Sequence, residues 1–167
     1  MKAGLRQSEI FLHPGELCFS RAPGCLGTLL GSCVSVTLWH PGLRFGGMCH
    51  ILLPARQNRP PGALPDGRYA DEAIERFYYE IKAQRITPKE CQIKLFGGGN
   101  MFAGTTVTLP NIGERNIDAT RTALSYYGFS IQAEHVGGTA RRRLFLDLGN
   151  GDVWLTVPGT DSLLLKP

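Results

Sequence analysis

The dipeptide Asn150-Gly151 lies between two short segments with the composition of strands, RLFLDL (143–148) and VWLTV (153–157). Asn-Gly readily adopts the positive φ angles of a tight hairpin turn, so these segments predict an antiparallel pair. The other strand-like segments are CVSVTLW (33–39), RFGGMCHILL (44–53), QIKLF (92–96) and FSIQAEHV (129–136). Hairpins and an excess of strands over helices favour an α+β sandwich over a doubly wound parallel sheet.

Two segments have the periodicity of amphipathic helices. In RYADEAIERFYYEIKAQ (68–84) the residues at helical spacing on one face are apolar: Ala70, Ile74, Phe77, Tyr78 and Ile81. In NIGERNIDATRTALSYYG (111–128) a similar stripe comprises Ile117, Ala123, Leu124 and Tyr127, and Gly128 suits the position just after a helix. Spacing of this kind is typical of helices that bury one face against a core. We therefore expect two main helices.

The size and charge of the chain exclude several classes of protein. Its 167 residues suit a single domain, which we expect to span residues 1–167. No apolar run reaches the roughly 18 residues of a membrane helix and no signal-peptide core is visible, so we expect a cytoplasmic protein without membrane insertion. The net charge is only +4, and the one basic run, Arg141–Arg143, has few aromatic neighbours. We interpret that run as a solvated strand end, with an acidic protein partner still open, and expect no nucleic-acid binding.

The cysteines do not form a recognisable disulfide or metal pattern. Their number is odd, five, and no two are spaced as C-x-x-C. Cys49 and His50 are adjacent, and neighbours on a strand point to opposite faces, so they would chelate zinc poorly. The glycines 97–99 form neither a G-x-G-x-x-G motif nor a P-loop. We expect no metal ion and no other cofactor.

Cys33 and His50 are the candidate reactive pair. If the strands around them form a hairpin with its turn centred between Pro41 and Gly42, Cys33 lies directly opposite His50 with Cβ atoms about 5 Å apart. A register shifted by one residue would place them on opposite faces. A cysteine beside an imidazole can become a thiolate with a depressed pKa and attack an amide. The alternative is that Cys33 is a small buried residue and His50 a satisfied strand histidine, as we expect for Cys49, which should face away.

Glycine-rich segments flank this pair. Gly31 and Ser32 suit a tight bend whose backbone N–H groups would face a developing oxyanion. The segment Gly97-Gly98-Gly99-Asn100 follows a predicted strand, and its glycines permit a tight turn or the close approach of a substrate. Asn100 would either orient an amide or cap the turn. Candidate substrate-binding residues are therefore Ser32, Gly97, Gly98, Gly99 and Asn100.

Several of these segments resemble, in order, the motifs of the CheD family of chemoreceptor glutamine deamidases. They are TLLGSCVSVTLWHP (28–41), GGMCHILLP (46–54), RYADEAIERF (68–77), KLFGGGNMF (94–102), IGERNI (112–117) and GGTARRRLF (137–145). Ala140 stands where the last motif usually has glycine. The resemblance covers most of the chain.

The resemblance implies a function and a third site residue. CheD proteins convert particular receptor glutamines to glutamates through a cysteine thioester, and their α/β sandwich is related to the cytotoxic necrotizing factor deamidases. The family's cysteine and histidine correspond to Cys33 and His50, and Thr28 is the candidate for its threonine. Some members place that threonine six residues before the cysteine, where this chain has Gly27. Thr28 stands five before, and an offset of one residue along a strand reverses the direction of a side chain.

Three functions remain open from the sequence. The first is a protein-glutamine deamidase acting on the cytoplasmic helices of chemoreceptors. The second is a binding module, non-catalytic or combined with catalysis, that docks on receptors or on a CheC-type phosphatase, which CheD proteins also bind. The third is a cysteine peptidase, which would share the nucleophile but would cleave the chain of its substrate instead of releasing ammonia.

Overall fold

The computed structural model describes residues 8–106 and 110–167. In these residues the chain forms two α-helices, α1 (Ala70–Ala83) and α2 (Ile112–Tyr126), and a short 3-10 helix at Pro88–Glu90. It also forms ten strands: β1 (Glu9–Leu12), β2 (Leu17–Arg21), β3 (Cys25–Leu30), β4 (Val34–His40), β5 (Phe45–Cys49), β6 (Gln92–Gly97), β7 (Ile131–Val136), β8 (Arg142–Asp147), β9 (Val153–Thr156) and β10 (Leu163–Leu165).

The strands form two five-stranded sheets. The first sheet has the order β1-β3-β8-β9-β10 and the second β2-β5-β4-β6-β7. Most neighbouring strands are antiparallel, including β8 and β9 around Asn150-Gly151, whereas β1–β3 and β6–β7 are parallel pairs. The predicted α+β sandwich with two main helices is confirmed, and both of its sheets are mixed.

Two apolar layers hold these elements together. The layer between the sheets contains Leu26 and Leu144 from the first sheet and Met48 and Phe96 from the second. The other layer lies between the second sheet and the helices and includes Phe77 of α1. The second sheet is therefore covered on both faces, with the first sheet on one side and the helices on the other.

Alternation along β4 follows from this layered arrangement. Val34, Val36 and Leu38 belong to the helix-facing layer, and Trp39 belongs to the layer between the sheets. Because successive strand side chains point to opposite faces, a strand covered on both sides is buried at nearly every position. All of β4 except its last residue is buried.

The helices have the predicted positions and faces. The predicted apolar face of α1 lies in the helix-facing layer, and so do Ile117, Ala123 and Leu124 of α2. The side chain of Asn111 caps α2 by accepting the N–H of Glu114 at 3.1 Å. Gly128 follows the helix with φ of +80°, the left-handed geometry expected of it. Neither helix in the described stretches is long and apolar enough to cross a membrane.

The β4–β5 hairpin has a different register from the predicted one. His40 pairs with Phe45 and Thr37 with Met48, so four residues, 41–44, form the connection. Arg44 adopts φ of +46° within it. Cys33 and His50 are therefore not directly opposite each other, and that prediction is wrong. The shift is by two residues, and an even shift leaves each side chain on its original face.

Candidate active site

Cys33 lies in a short connection that passes from one sheet to the other. Strand β3 of the first sheet ends at Leu30, and β4 of the second begins at Val34. His50 directly follows β5, which pairs with β4. The two predicted residues meet at one end of the space between the sheets, where both line a cavity of about 450 Å³. The cavity is lined by Phe11, Leu12, His13, Pro14, Leu29, Leu30, Gly31, Ser32, Cys33, His50, Met101 and Arg141.

Thr28 orients the imidazole of His50. Its Oγ1 lies 2.7 Å from His50 Nδ1 and donates to the carbonyl oxygen of Leu12 at 2.8 Å. A carbonyl only accepts, and a threonine hydroxyl has a single hydrogen. Since that hydrogen goes to Leu12, Nδ1 of His50 must carry the hydrogen of the second bond. The network therefore assigns the basic lone pair of His50 to Nε2.

The one-residue offset of Thr28 does not turn its side chain away from the site. Thr28 is fully buried, whereas Leu29, next along β3, is exposed. Counting alternation from Cys33 back to Thr28 assumes one continuous strand, and the connection 31–33 between the sheets interrupts it. The direction of Thr28 is set by β3 alone.

Burial keeps both Cys33 and His50 neutral. It raises the pKa of the Cys33 thiol above its ordinary value and lowers the pKa of His50 to about 4. Within the described part of the chain no hydrogen bond joins the thiol to the imidazole. The expected depression of the thiol pKa is therefore absent, because removal from water disfavours the thiolate. The geometry suits a neutral thiol that loses its proton to a neutral imidazole during attack on a substrate.

Cys49 is placed differently from Cys33, as predicted. It is fully buried in the helix-facing layer, and its Sγ accepts the N–H of Val36 at 3.4 Å. Burial raises the pKa of its thiol to about 12. Since the thiolate is the nucleophilic form, Cys49 is inert in this environment.

The three glycines of the loop pack against the connection that carries Cys33. The N–H of Gly98 donates to the carbonyl of Cys33 at 2.8 Å, and that of Gly99 donates to the carbonyl of Gly31 at 2.9 Å. Gly98 has φ of +69°, and a Cβ there would collide with the side chain of Ile117 on α2. A Cβ on Gly97 would collide with the backbone of Cys33. Gly97 and Gly98 are not among the residues that line the two described cavities, and their glycine character allows the backbone and α2 to pack closely. Their binding of substrate stays a prediction.

A second cavity of about 200 Å³ lies next to the first. Ser32 and Met101 line both cavities, and Gly99 and Asn100 line the second. The side chain of Asn100 accepts the N–H of Phe102 at 3.1 Å, so it caps a turn. Of the predicted substrate-binding residues, Ser32 therefore borders the Cys33 cavity, whereas Gly99 and Asn100 border its neighbour.

Two features of the site were not predicted from the sequence. Arg141 is exposed, as expected of a solvated strand end, but it also lines the main cavity, and the burial of Arg142 was not expected. The next residue, Arg142, is almost fully buried and donates to Nδ1 of His135 at 2.8 Å and to the Gly137 carbonyl at 2.6 Å. Arg141 directly precedes β8 and Arg142 begins it, and neighbouring side chains along an extended chain point to opposite sides, but three consecutive arginines give no sign of which one is buried. The acceptor for Thr28, the Leu12 carbonyl, is a backbone atom and leaves no trace in the sequence.

The chain is similar over most of its length to proteins of one family. The sequence model described as "CheD chemotactic sensory transduction" matches residues 52–157. A protein of Dechloromonas aromatica, named probable chemoreceptor glutamine deamidase CheD 3, is 48% identical over 92% of this chain and 91% of its own length. The probable chemoreceptor glutamine deamidase CheD 2 of Albidiferax ferrireducens is 44% identical over 92% of this chain and 91% of its length.

One solved structure has a distant likeness to the fold. The crystal structure of the hypothetical protein YfiH of Bacillus licheniformis aligns with a TM-score of 0.47 and 12% identity, over 71% of this chain and 49% of that one. That likeness is too weak to support an argument, and the identification rests on the sequence matches. With the family model covering residues 52–157 and relatives 44–48% identical over nine tenths of the sequence, the chain belongs to the CheD family.

Proposed function

We propose that this protein hydrolyses the side-chain amide of glutamine residues in chemoreceptors and so takes part in chemotaxis. The observation that carries the proposal is the bond of 2.7 Å between Thr28 and His50, beside Cys33 in one cavity. It leaves the basic nitrogen of a neutral imidazole available to a thiol. The choice of substrate is supported by the names of relatives, which are probable chemoreceptor glutamine deamidases.

The reaction begins with Cys33 as nucleophile. Nε2 of His50 takes the proton of the thiol while Sγ attacks the amide carbon, and the carbonyl oxygen becomes an oxyanion. The imidazolium then gives its proton to the amide nitrogen, the C–N bond breaks, and ammonia leaves. The product of this half-reaction is a thioester between Cys33 and the glutamine side chain.

Water completes the reaction with His50 again acting as base. The imidazole takes a proton from water as its oxygen attacks the thioester carbon, and collapse of the second intermediate breaks the C–S bond. The proton returns to the cysteine sulfur, leaving a glutamate on the substrate and a free thiol. Atoms balance as one water consumed and one ammonia released for each glutamine.

Backbone N–H groups beside Cys33 are available to the oxyanion. Within the described residues, the N–H groups of Ser32 and Cys33 donate to no protein acceptor. Meanwhile the carbonyls of Gly31 and Cys33 are held by Gly99 and Gly98. The hydrogen bonds to these two carbonyls fix the backbone of the connection and leave its N–H groups free to donate. This resembles the donor arrangement that stabilises oxyanions.

The cavity sets the environment of each proton transfer. Burial favours the neutral forms of Cys33 and His50, so the proton moves during attack and not before it. Thr28 keeps Nε2 basic, and its bond to Leu12 prevents the hydroxyl from donating to Nδ1. The three residues therefore have distinct roles: nucleophile, base and orienting group.

The proposed partners are the cytoplasmic helices of chemoreceptors and, second, a CheC-type phosphatase. The reaction would take place in the cytoplasm, where those helices lie. The CheC partner rests on the family resemblance alone. A protein that bound receptors or CheC without releasing ammonia would be a binding module only.

Co-expression with receptor cytoplasmic domains tests the proposal. We expect mass spectrometry to show glutamine converted to glutamate at particular receptor positions, with an equal amount of ammonia released and the receptor chain intact. Cys33→Ala should give neither product. Cleavage of the receptor would instead indicate a peptidase, and an unmodified receptor that still binds the protein would indicate the binding module.

A further inference from the structure

Asn116 of α2 lies outside both cavities but bonds to both segments that carry the reactive residues. Its Nδ2 donates to the carbonyl of Leu52 at 2.9 Å and to that of Ser32 at 3.3 Å. Ser32 immediately precedes Cys33, and Leu52 is two residues after His50. A single side-chain amide therefore joins the nucleophile's connection to the segment that follows the base.

This amide is found where the backbone ladder ends. Val34 and Ile51 exchange backbone hydrogen bonds of 3.0 and 2.8 Å, and they form the last bridge between the two segments. Beyond that bridge the chains separate, Ser32 toward the first sheet and Leu52 toward α1. The Asn116 amide supplies hydrogen bonds at the position where the ladder has none.

The orientation of the amide follows from its partners. Two carbonyl oxygens face it, and only the NH₂ end of an asparagine donates. Asn116 is fully buried, and its Oδ1 has no hydrogen-bond partner in the described residues. An unpaired buried acceptor destabilises the folded state, because it has lost its hydrogen bonds to water. The side chain thus holds two carbonyls at an energetic cost, which is typical of a residue kept for a site rather than for stability.

We propose that Asn116 is a positioning residue, which fixes the connection 31–33 relative to the segment carrying His50. It contacts no substrate and acts through the placement of Cys33 and its N–H groups. The inference rests on the proposed deamidation. Helix α2 suits this role because its first turn packs on the glycine loop: a Cβ on Gly113 would collide with the backbone of Gly98.

The test compares Asn116→Ala with Thr120→Val, a control one turn further along α2. Thr120 is also fully buried, and its hydroxyl donates to the Asn116 carbonyl at 2.7 Å, so Thr120→Val removes a hydrogen bond from the same helix without touching the site. At a temperature where both variants are fully folded, we expect Asn116→Ala to lower kcat for receptor deamidation by about tenfold to a hundredfold with KM little changed. Thr120→Val should lower Tm but leave kcat within about twofold of wild type, since a purely structural change does not misplace the reacting groups.

Asn116→Asp supplies a second readout that a structural role would not give. A carboxyl group at this buried position has a raised pKa, and only its protonated form donates to a carbonyl. The ratio of variant to wild-type kcat, both fully folded, should therefore rise as pH falls. The rate of Cys33 alkylation by iodoacetamide should be measured on the same samples. The ratio of variant to wild-type alkylation rates should also rise as pH falls, and this measurement needs no receptor.

The outcomes separate the two proposals. Wild-type protein that releases no ammonia from receptors contradicts the proposed function, whatever the variants do. If the wild type is active and a folded Asn116→Ala variant has a normal kcat, the positioning role is overturned. An equal loss of kcat in Thr120→Val also overturns it. If Asn116→Ala does not fold, a flat pH ratio for Asn116→Asp in both turnover and alkylation also overturns it.

Discussion

The two faces of the second sheet place a cysteine in very different environments. On the helix-facing side Cys49 is fully buried, bonded to the backbone and without access to solvent. On the other side, at the edge of the layer between the sheets, Cys33 is half-buried and shares a cavity with His50. Cys49 and His50 are chain neighbours, yet strand alternation sends one into the core and the other into the site.

Position on the sheet, and not residue type, separates the structural thiol of Cys49 from the thiol that we propose as the nucleophile. Burial raises the pKa of both thiols, so ionisation in the resting state does not distinguish them. The difference is the neighbouring base: Thr28 orients His50, which lines the cavity of Cys33, whereas among the described residues Cys49 bonds only to backbone atoms. Variants on the two faces should therefore differ in activity.

The largest contrast is expected between Cys33→Ala and Cys49→Ala. Cys33→Ala should lower the rate of ammonia release from receptors by at least about a thousandfold, because no other group can form the thioester. Cys49→Ala removes a buried Sγ and should reduce Tm while keeping the activity of the folded protein. Both rates should be measured at a temperature where the two variants are fully folded. An equal loss of activity in the two variants would contradict the assignment of Cys33 as the nucleophile.

His50→Gln should have the next largest effect. Glutamine retains polarity but cannot take a proton, and loss of a general base costs about a hundredfold to ten-thousandfold in rate. Alkylation of Cys33 at neutral pH should slow in the same variant, and peptide mapping after iodoacetamide treatment measures this. An unchanged alkylation rate would show that His50 does not act on the thiol.

The pKa of His50 also predicts a pH dependence. The pKa of His50 is about 4 in the folded protein, whereas its ordinary value, expected in the unfolded chain, is 6.5. The unfolded state therefore binds more protons in that interval, and the free energy of unfolding should decrease as pH falls from 6.5 through 4. Turnover should remain high until pH approaches about 4, where His50 becomes protonated and can no longer act as base. The variant His50→Gln should lack this part of the stability loss in urea titrations.

Thr28→Val tests the orienting bond with a side chain of nearly equal size. Without the hydroxyl, His50 loses its tautomeric preference and its fixed ring position, and we expect kcat to fall by about tenfold to a hundredfold. Thr28→Ser keeps the hydroxyl and should recover most of the rate. Equal kcat values for the valine and serine variants would remove Thr28 from the site and leave it as a buried core residue.

The smallest effect is expected on stability, at the glycine loop. Gly98→Ala should cost about 1–3 kcal/mol in the free energy of unfolding beyond backbone strain, because the added Cβ would collide with Ile117. Gly62→Ala is the matched control, since Gly62 has a similar φ of +74° and open space around its Cβ position. Similar costs for the two variants, measured by urea denaturation, would mean that α2 does not pack against the loop as described.

Much of the fold could be predicted from local pattern, and what could not has identifiable causes. The helices and the strands β4 to β9 have strong periodicity or turn signals. Strands β1, β2 and β10 are short strands at sheet edges, and β3 contains Gly27, so their alternation is weak. The geometry of the site is harder to predict from the sequence than the secondary structure. Cys33 and His50 share a face even though the predicted hairpin register is wrong, because the shift is even.

Long-range contacts explain the remaining differences. The direction of Thr28 depends on the crossing between sheets at residues 31–33, which strand periodicity alone does not describe. The role of Asn116 depends on two carbonyls that lie 64 and 84 residues away along the chain. Contacts to backbone atoms at such separations leave no local pattern in a sequence.

Graded alkylation of the wild-type protein tests whether Cys33 is the nucleophile. Iodoacetamide is added in increasing amounts, the modified fraction of each cysteine is measured by peptide mapping, and receptor deamidation is assayed on the same samples. If Cys33 alone forms the thioester, residual activity should equal the unmodified fraction of Cys33 and reach zero when that residue is fully modified, while Cys49 stays unmodified. Full modification of Cys33 with activity retained would contradict the account.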